Sequence, residues 1–257
     1  MKILSKETAR HYQLASLNRG HVVFTSFISI SGKILFLESH LERLLLGAHF
    51  LFPEMKWEQC DQELKDYVLD LFNKDTSDSY FRITLFDDCL HIERRQLHLA
   101  VEILNLTVAL KMKTPGLYPA FLKVSHYLES DLEMQRALGM GFNDFLYFDH
   151  LGQLTEASTS NVFIVTEDYL VKTPSISSMV LDGVMRKKLM NNLQNNNVKI
   201  IESTIVREDL LKAREIWLTS SVRGIRFVNR FEQVNYDSVN SLYEKTLEHF
   251  GKYGELV

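Results

Sequence analysis

The sequence predicts an α+β protein of two mixed domains, and three observations carry that prediction. Strand-like runs and helix-like runs alternate along the chain. A breaker-rich segment, "KTPGLYP" (Lys113 to Pro119), holds two of the four prolines and a glycine. It divides an N-terminal domain at residues 1–113 from a larger C-terminal domain at residues 119–257, with 114–118 as linker. A length of 257 residues with 46% hydrophobic content suits one large domain or two small ones with real cores.

Taken in order, "HVVFTSFISISGKILFL" (His21 to Leu37) reads as two strands joined at Ser31-Gly32-Lys33, a hairpin signal. "SHLERLLLGAHFLF" reads as a helix that Ser39 caps while Glu42 reaches back. Leu41, Leu44, Leu45 and Ala48 fall on one face of it. A second helix is expected from Trp57 to Phe72, then strands in "SYFRITLFDD" and "LHLAVEIL" with a charged turn between them. Beyond the linker, the pattern predicts a helix from Ser125 to Leu138, stopped at Gly139. "DFLYFDHLGQLTEASTSNVFIV" reads as strand, Asp-containing turn, extended segment and strand. A helix from Leu181 to Leu193 follows, and strands in "VKIIESTIV" and "EIWLTSSVRGIRFV" complete the domain.

Several function classes fall away. A net charge of -4 gives no electrostatic case for nucleic acid or an anionic membrane. No apolar run reaches the roughly 20 residues of a membrane helix, and "MKILSKETARHYQ" has no apolar signal core. With only Cys60 and Cys89, a disulfide framework is not expected and a reducing cytoplasm is. The nine histidines lack metal-ligand spacing, so no metal is expected.

The chemistry gathers around "LKVSHYLES" (Leu122 to Ser130), where Lys123 follows an apolar stretch with little charge beside it. Lysine ordinarily lies on wet surface, whereas an imine-forming lysine sits in such places. Lys123, Glu156, Arg43, the Asp182-Gly183-Val184-Met185 turn and Ser221 together supply what pyridoxal phosphate requires. The aldehyde needs an amine, the pyridine nitrogen an acidic partner, and the phosphate a cation and a helix N-terminus.

These segments resemble the class IV aminotransferases, the fold type IV pyridoxal-phosphate enzymes, with gaps from about Gly20 to Val228. "GKILFLESHLERLLLGAHFL" resembles the family's His-x-x-Arg-Leu segment, which implies that Arg43 binds the phosphate. The resemblance places the Schiff-base lysine at Lys123 and the cofactor-nitrogen glutamate at Glu156, with Asn161 five residues on. It implies phosphate contacts from Gly183, from the N–H groups of Val184 and Met185, and from Ser221. It also implies a small-molecule amine substrate and a homodimer. Within the family, "DGVMR" and "LTSSVRGIRFV" resemble aminodeoxychorismate lyases; aminotransferases more often have threonine where Met185 stands. The activity so implied converts 4-amino-4-deoxychorismate to 4-aminobenzoate and pyruvate. An aminotransferase acting on branched-chain or D-amino acids is the alternative. The substrate half departs from the family: "GHVVFTSF" and "FDDCLHIERR" replace its N-terminal glycine motif and its Arg-Gly loop. Thr25, Arg82, Tyr127 and Arg223 are the candidate substrate contacts, although Tyr127 better suits packing against cofactor or core and Arg223 equally suits a strand-edge charge.

Overall fold

The structure is a computed structural model that describes residues 2–4, 20–54, 61–73, 76–86, 89–97, 103–116, 118–176 and 179–256. It divides into two compact units, Met1–His98 with Phe121–His126, and Leu99–Ala120 with Tyr127–Val257. Both are mixed α and β, as expected.

The first unit holds a five-stranded sheet in the order β1-β5-β4-β2-β3. Its strands are β1 (Lys2–Leu4), β2 (Val23–Ile30), β3 (Lys33–Ile34), β4 (Ser79–Phe86) and β5 (Cys89–Gln96). Helices α1 (Leu37–Leu51) and α2 (Asp61–Asn73) belong to the same unit. The hairpin at Ser31-Gly32 forms as expected, because both residues take positive φ, 51° and 74°. Leu37, Leu41, Leu44 and Ala48 carry the buried face of α1 into a core with Phe27, Phe81, Ile83, Leu64 and Val68.

Three local expectations change here. The helix begins at Leu37, so Ser39 and Glu42 lie inside α1 and form no capping box. Phe36, in the left-handed region at φ 55°, turns the chain directly from β3 into the helix. The expected charged turn after β4 is instead the strand β5, paired with β4 from Phe86–Cys89 to Ser79–Gln96. Its charges find partners: Arg94 donates to Leu71 O and Ser79 Oγ, and Arg95 lies over the Tyr80 ring. Residues 57–60 of the expected second helix and 98–102 of "LHLAVEIL" lie outside the described residues.

The second unit is built on a larger sheet in the order β11-β10-β9-β12-β13-β6-β7-β8, with β14 on β13. Its strands are β6 (Leu104–Val108), β7 (Asp144–Phe148), β8 (Leu154–Ala157), β9 (Asn161–Val165), β10 (Val171–Thr173), β11 (Ile200–Glu202), β12 (Glu215–Ser220), β13 (Gly224–Phe231) and β14 (Val234–Asn235). Its helices are α3 (Leu128–Gly139), α4 (Val184–Asn195), α5 (Arg207–Leu211) and α6 (Leu242–Phe250). Strands β7 and β9 are buried throughout, the mark of a sheet covered on both faces.

The boundary differs from the sequence expectation of 1–113, 114–118 and 119–257. Strand β6 pairs in parallel with β7 and β13, so the second unit begins before the proline-rich segment. Residues 121–126 return to the first unit because they pair with β2: Phe24 N–H donates to Lys123 O at 3.0 Å, and Val124 bridges Val23. That pairing also delays the expected helix, which starts at Leu128 rather than Ser125. Among the described residues no helix is long and apolar enough to cross a membrane, and no cluster of His, Cys, Asp and Glu could hold a metal.

Candidate active site

Lys123 sits on an extended segment anchored by its neighbour. Leu122 is buried in the first unit's core, which contributes roughly 2 kcal/mol. It approaches α1 where Gly47 leaves room: a Cβ there would stand 3.3 Å from Leu122 Cδ1 and 2.6 Å from Val23 Cγ2. The half-buried Lys123 lies with Nζ 4.7 Å from the centre of the Phe24 ring. The Arg82 guanidinium lies 3.7 Å from the same centre and donates to Ser125 Oγ at 2.6 Å. Arg82 is thereby tied to the segment that carries the lysine.

Arg43 points inward from α1 and is only 9% exposed. Its Nη2 donates to Thr25 Oγ1 at 3.1 Å, and the same hydroxyl lies 2.8 Å from His40 Nδ1. Because Oγ1 accepts from the guanidinium, its own hydrogen is available to Nδ1. Thr25 is fully buried and engaged by these two groups, so it helps to position Arg43.

In the second unit, Glu156 stands on β8. Its Oε2 accepts from Leu181 N at 2.9 Å, and its Oε1 pairs with Lys113. Asn161, at the start of β9, donates from Nδ2 to Leu181 O at 2.8 Å. Both side chains therefore hold the turn that leads into α4. Gly183 is the N-cap of that helix, with no side-chain cap, and no acidic residue lies in the first turn. A Cβ at Gly183 would fall 2.1 Å from Asn161 Oδ1, so the close packing requires glycine. The N–H groups of Val184 and Met185 stand in the first turn, where a helix donates to an anion.

Ser221 occupies the turn between β12 and β13, half-buried. Arg223, on the same turn, is exposed, and its backbone N–H donates to Ser220 Oγ at 3.1 Å. Arg226 is buried, donates to Ser160 Oγ at 3.0 Å and lies 3.7 Å from Asp144 Oδ2, which fits an internal brace. Tyr127 is the half-buried N-cap of α3. Burial pushes the Tyr147 phenol above its ordinary range, and the carboxylates of Glu133, Glu129 and Glu156 add to this, so it stays neutral.

A sequence profile of the amino-transferase class IV family matches residues 22–231. The chain belongs to that family, and its fold is that of the fold type IV enzymes. A provisionally named branched-chain-amino-acid aminotransferase of Rickettsia bellii is 23% identical over 94% of this chain and 90% of its own. Among solved structures, a provisional 4-amino-4-deoxychorismate lyase of Legionella pneumophila aligns with a TM-score of 0.85 at 19% identity, over 96% of this chain and 97% of its own. An aminotransferase of Brucella abortus, solved with pyridoxal phosphate bound, aligns at 0.78 with 22% identity, over 96% and 91%. Class IV aminotransferases are pyridoxal-phosphate enzymes.

Three residues of this class IV chain escaped the sequence reading as parts of the site. His40 was visible as the histidine of the His-x-x-Arg-Leu segment, yet its contact with Thr25 requires the α1–β2 packing. Phe24 offered no signal beyond strand propensity. Lys113 marked only the start of the breaker segment, and its pairing with Glu156 spans 43 positions.

Proposed function

We propose that this protein is a pyridoxal-phosphate-dependent lyase that converts 4-amino-4-deoxychorismate to 4-aminobenzoate and pyruvate. The side chains present suit the cofactor: an amine at Lys123, a carboxylate at Glu156, a buried guanidinium at Arg43 and the uncapped N-terminus of α4. When bound, pyridoxal phosphate supplies an aldehyde and an electron-accepting ring. Lys123 would hold the aldehyde, then take the proton from the substrate carbon that bears nitrogen. Glu156 would accept a hydrogen bond from the protonated ring nitrogen and keep it charged. Arg43, the N–H groups of Val184 and Met185, and the Ser221 hydroxyl would hold the phosphate, with Gly183 and Asn161 shaping the turn.

The carbon beside the one that loses its proton carries the enolpyruvyl ether. Its C–O bond breaks, the ring becomes aromatic, and the departing enol regains a proton as pyruvate. The observation that carries the lyase reading is Met185. It is buried in the first turn of α4 and brings a thioether where aminotransferases of the family more often bring a hydroxyl. The Legionella relative supports the same reading. A second reading, transfer of the amine to a keto acid, draws on the name of the Rickettsia relative. The proposal includes a homodimer, for which the exposed Leu128 and Leu132 on α3 offer apolar surface.

Purified protein loaded with cofactor should be yellow, and Lys123→Ala should lose the visible band. The loaded enzyme should release pyruvate and 4-aminobenzoate in equal amounts. Keto-acid-dependent transamination without aminobenzoate would reject the lyase in favour of the second reading.

A further inference from the structure

We propose that Lys113 is a positioning residue for the cofactor's ring nitrogen, acting through Glu156 by holding its carboxylate in place. The inference rests on the reading of Glu156 given above and extends it to a residue outside the matched motifs. Lys113 Nζ pairs with Glu156 Oε1, and the two side chains are only 27% and 18% exposed. An ion pair withdrawn this far from water is screened less than a surface pair.

The backbone fixes both partners against one strand. Lys113 N–H donates to Phe148 O at 2.8 Å and Lys113 bridges Asp149, which holds it at the end of β7. Strand β8 pairs with β7 on either side of Glu156, Leu146 with Ala157 and Phe148 with Leu154. The Tyr147 ring, between those pairs, lies 5.2 Å from Lys113 Nζ. The neighbouring charges on α3 are matched elsewhere: Glu129 pairs with Lys111, and Glu133 with Arg136. Glu156 is thus the carboxylate that Lys113 meets.

The carboxylate's oxygens are divided between two donors, Lys113 on Oε1 and Leu181 N–H on Oε2. Each oxygen keeps a lone pair, so Glu156 can accept a further hydrogen bond while held. Because Leu181 leads into α4, Lys113 also steadies a carboxylate that tethers the phosphate-facing turn.

The test compares pyridoxal phosphate with its 1-deaza analogue, which carries carbon in place of the ring nitrogen. Dissociation constants for both are measured on wild type, Lys113→Met, Lys113→Arg and Glu156→Gln, with thermal melts of each cofactor-free protein. Lys113→Met should weaken pyridoxal phosphate about tenfold and leave the analogue within about twofold. Lys113→Arg should restore most of the affinity, and Lys113→Met should add little in the Glu156→Gln background. Equal losses for both ligands would reduce Lys113 to a structural brace and overturn the inference, as would an unchanged affinity for pyridoxal phosphate. Those failures differ from failure of the underlying reading, in which wild type and Lys123→Ala alike would form no visible band with the cofactor.

Discussion

Replacing Thr25 by valine tests whether one hydroxyl organises Arg43, the arginine proposed to hold the cofactor phosphate. The swap preserves shape and one methyl, and it removes the oxygen that accepts from Arg43 Nη2 at 3.1 Å and lies 2.8 Å from His40 Nδ1. All three residues are buried. A buried polar group that loses its partner costs about 1–3 kcal/mol. Two such groups are affected, and both Arg43 and His40 have other interactions to fall back on, so the expected loss is about 3 kcal/mol. Thr25→Ser keeps the hydroxyl and gives up a methyl, at about 1 kcal/mol. Urea unfolding of the cofactor-free proteins should therefore separate the two variants by about 2 kcal/mol. With the Thr25 hydroxyl gone, the proposed phosphate contact of Arg43 should also loosen, so that the valine variant binds the cofactor about tenfold more weakly than the serine variant. Equal stabilities for valine and serine, or wild-type cofactor affinity in Thr25→Val, would refute the reasoning.

Gly183→Ala would force a Cβ within 2.1 Å of Asn161 Oδ1; the expected result is a loss of about 1–3 kcal/mol and weaker cofactor retention, read by thermal melts and cofactor titration. Adding Asn161→Ala should recover part of that stability, and a Gly183→Ala protein that melts with wild type would contradict the packing. Glu215, buried on β12, accepts from Trp217 Nε1, Leu242 N and Tyr243 N at 2.9, 2.7 and 3.0 Å, tying the start of α6 to the sheet. Glu215→Leu should cost about 3 kcal/mol or more and Glu215→Gln about half of that, as urea midpoints will show. Burial raises the Tyr236, Tyr147 and Tyr243 phenols above their ordinary value of 10.0. A raised folded value means that their stability contribution is complete below that pH and is lost as pH climbs through the folded values. Unfolding midpoints should fall from about pH 10 upward, and Tyr236→Phe should flatten that fall while giving up the 2.7 Å bond to Leu210 O.

The parts of the fold legible from sequence are those written in short range. The Ser31-Gly32 turn, the Asp149 turn, whose carboxylate takes the N–H groups of Leu151 and Gln153 at 2.9 Å each, and the glycine before α4 announce themselves within a few residues. Strand β5 did not, because Glu93, Arg94 and Arg95 look like a solvated turn until Ser79, Leu71 and Tyr80 are beside them. The same physics governs the site. Lys123, Glu156 and Arg43 were legible as residue types in matched segments, while the groups that orient them come from distant segments: Thr25 by 18 positions and Lys113 by 43.

Lys123 joins the two cases. The stretch "LKVSHYLES" reads as a helix entrance because the polar spacing after Ser125 continues into α3. Pairing with β2 overrides that local preference: one backbone bond from Phe24 and the bridge at Val124 hold residues 122–124 extended. Extended geometry alternates side chains, so burying Leu122 in the core turns Lys123 to the opposite side, over Phe24 and near Arg82. A lysine at a helix N-terminus would face an unfavourable dipole; a lysine on an anchored extended segment does not. The apolar neighbour thus helps to place the amine. Substitutions at Leu122 should accordingly disturb the reactivity of Lys123 before they unfold the first unit.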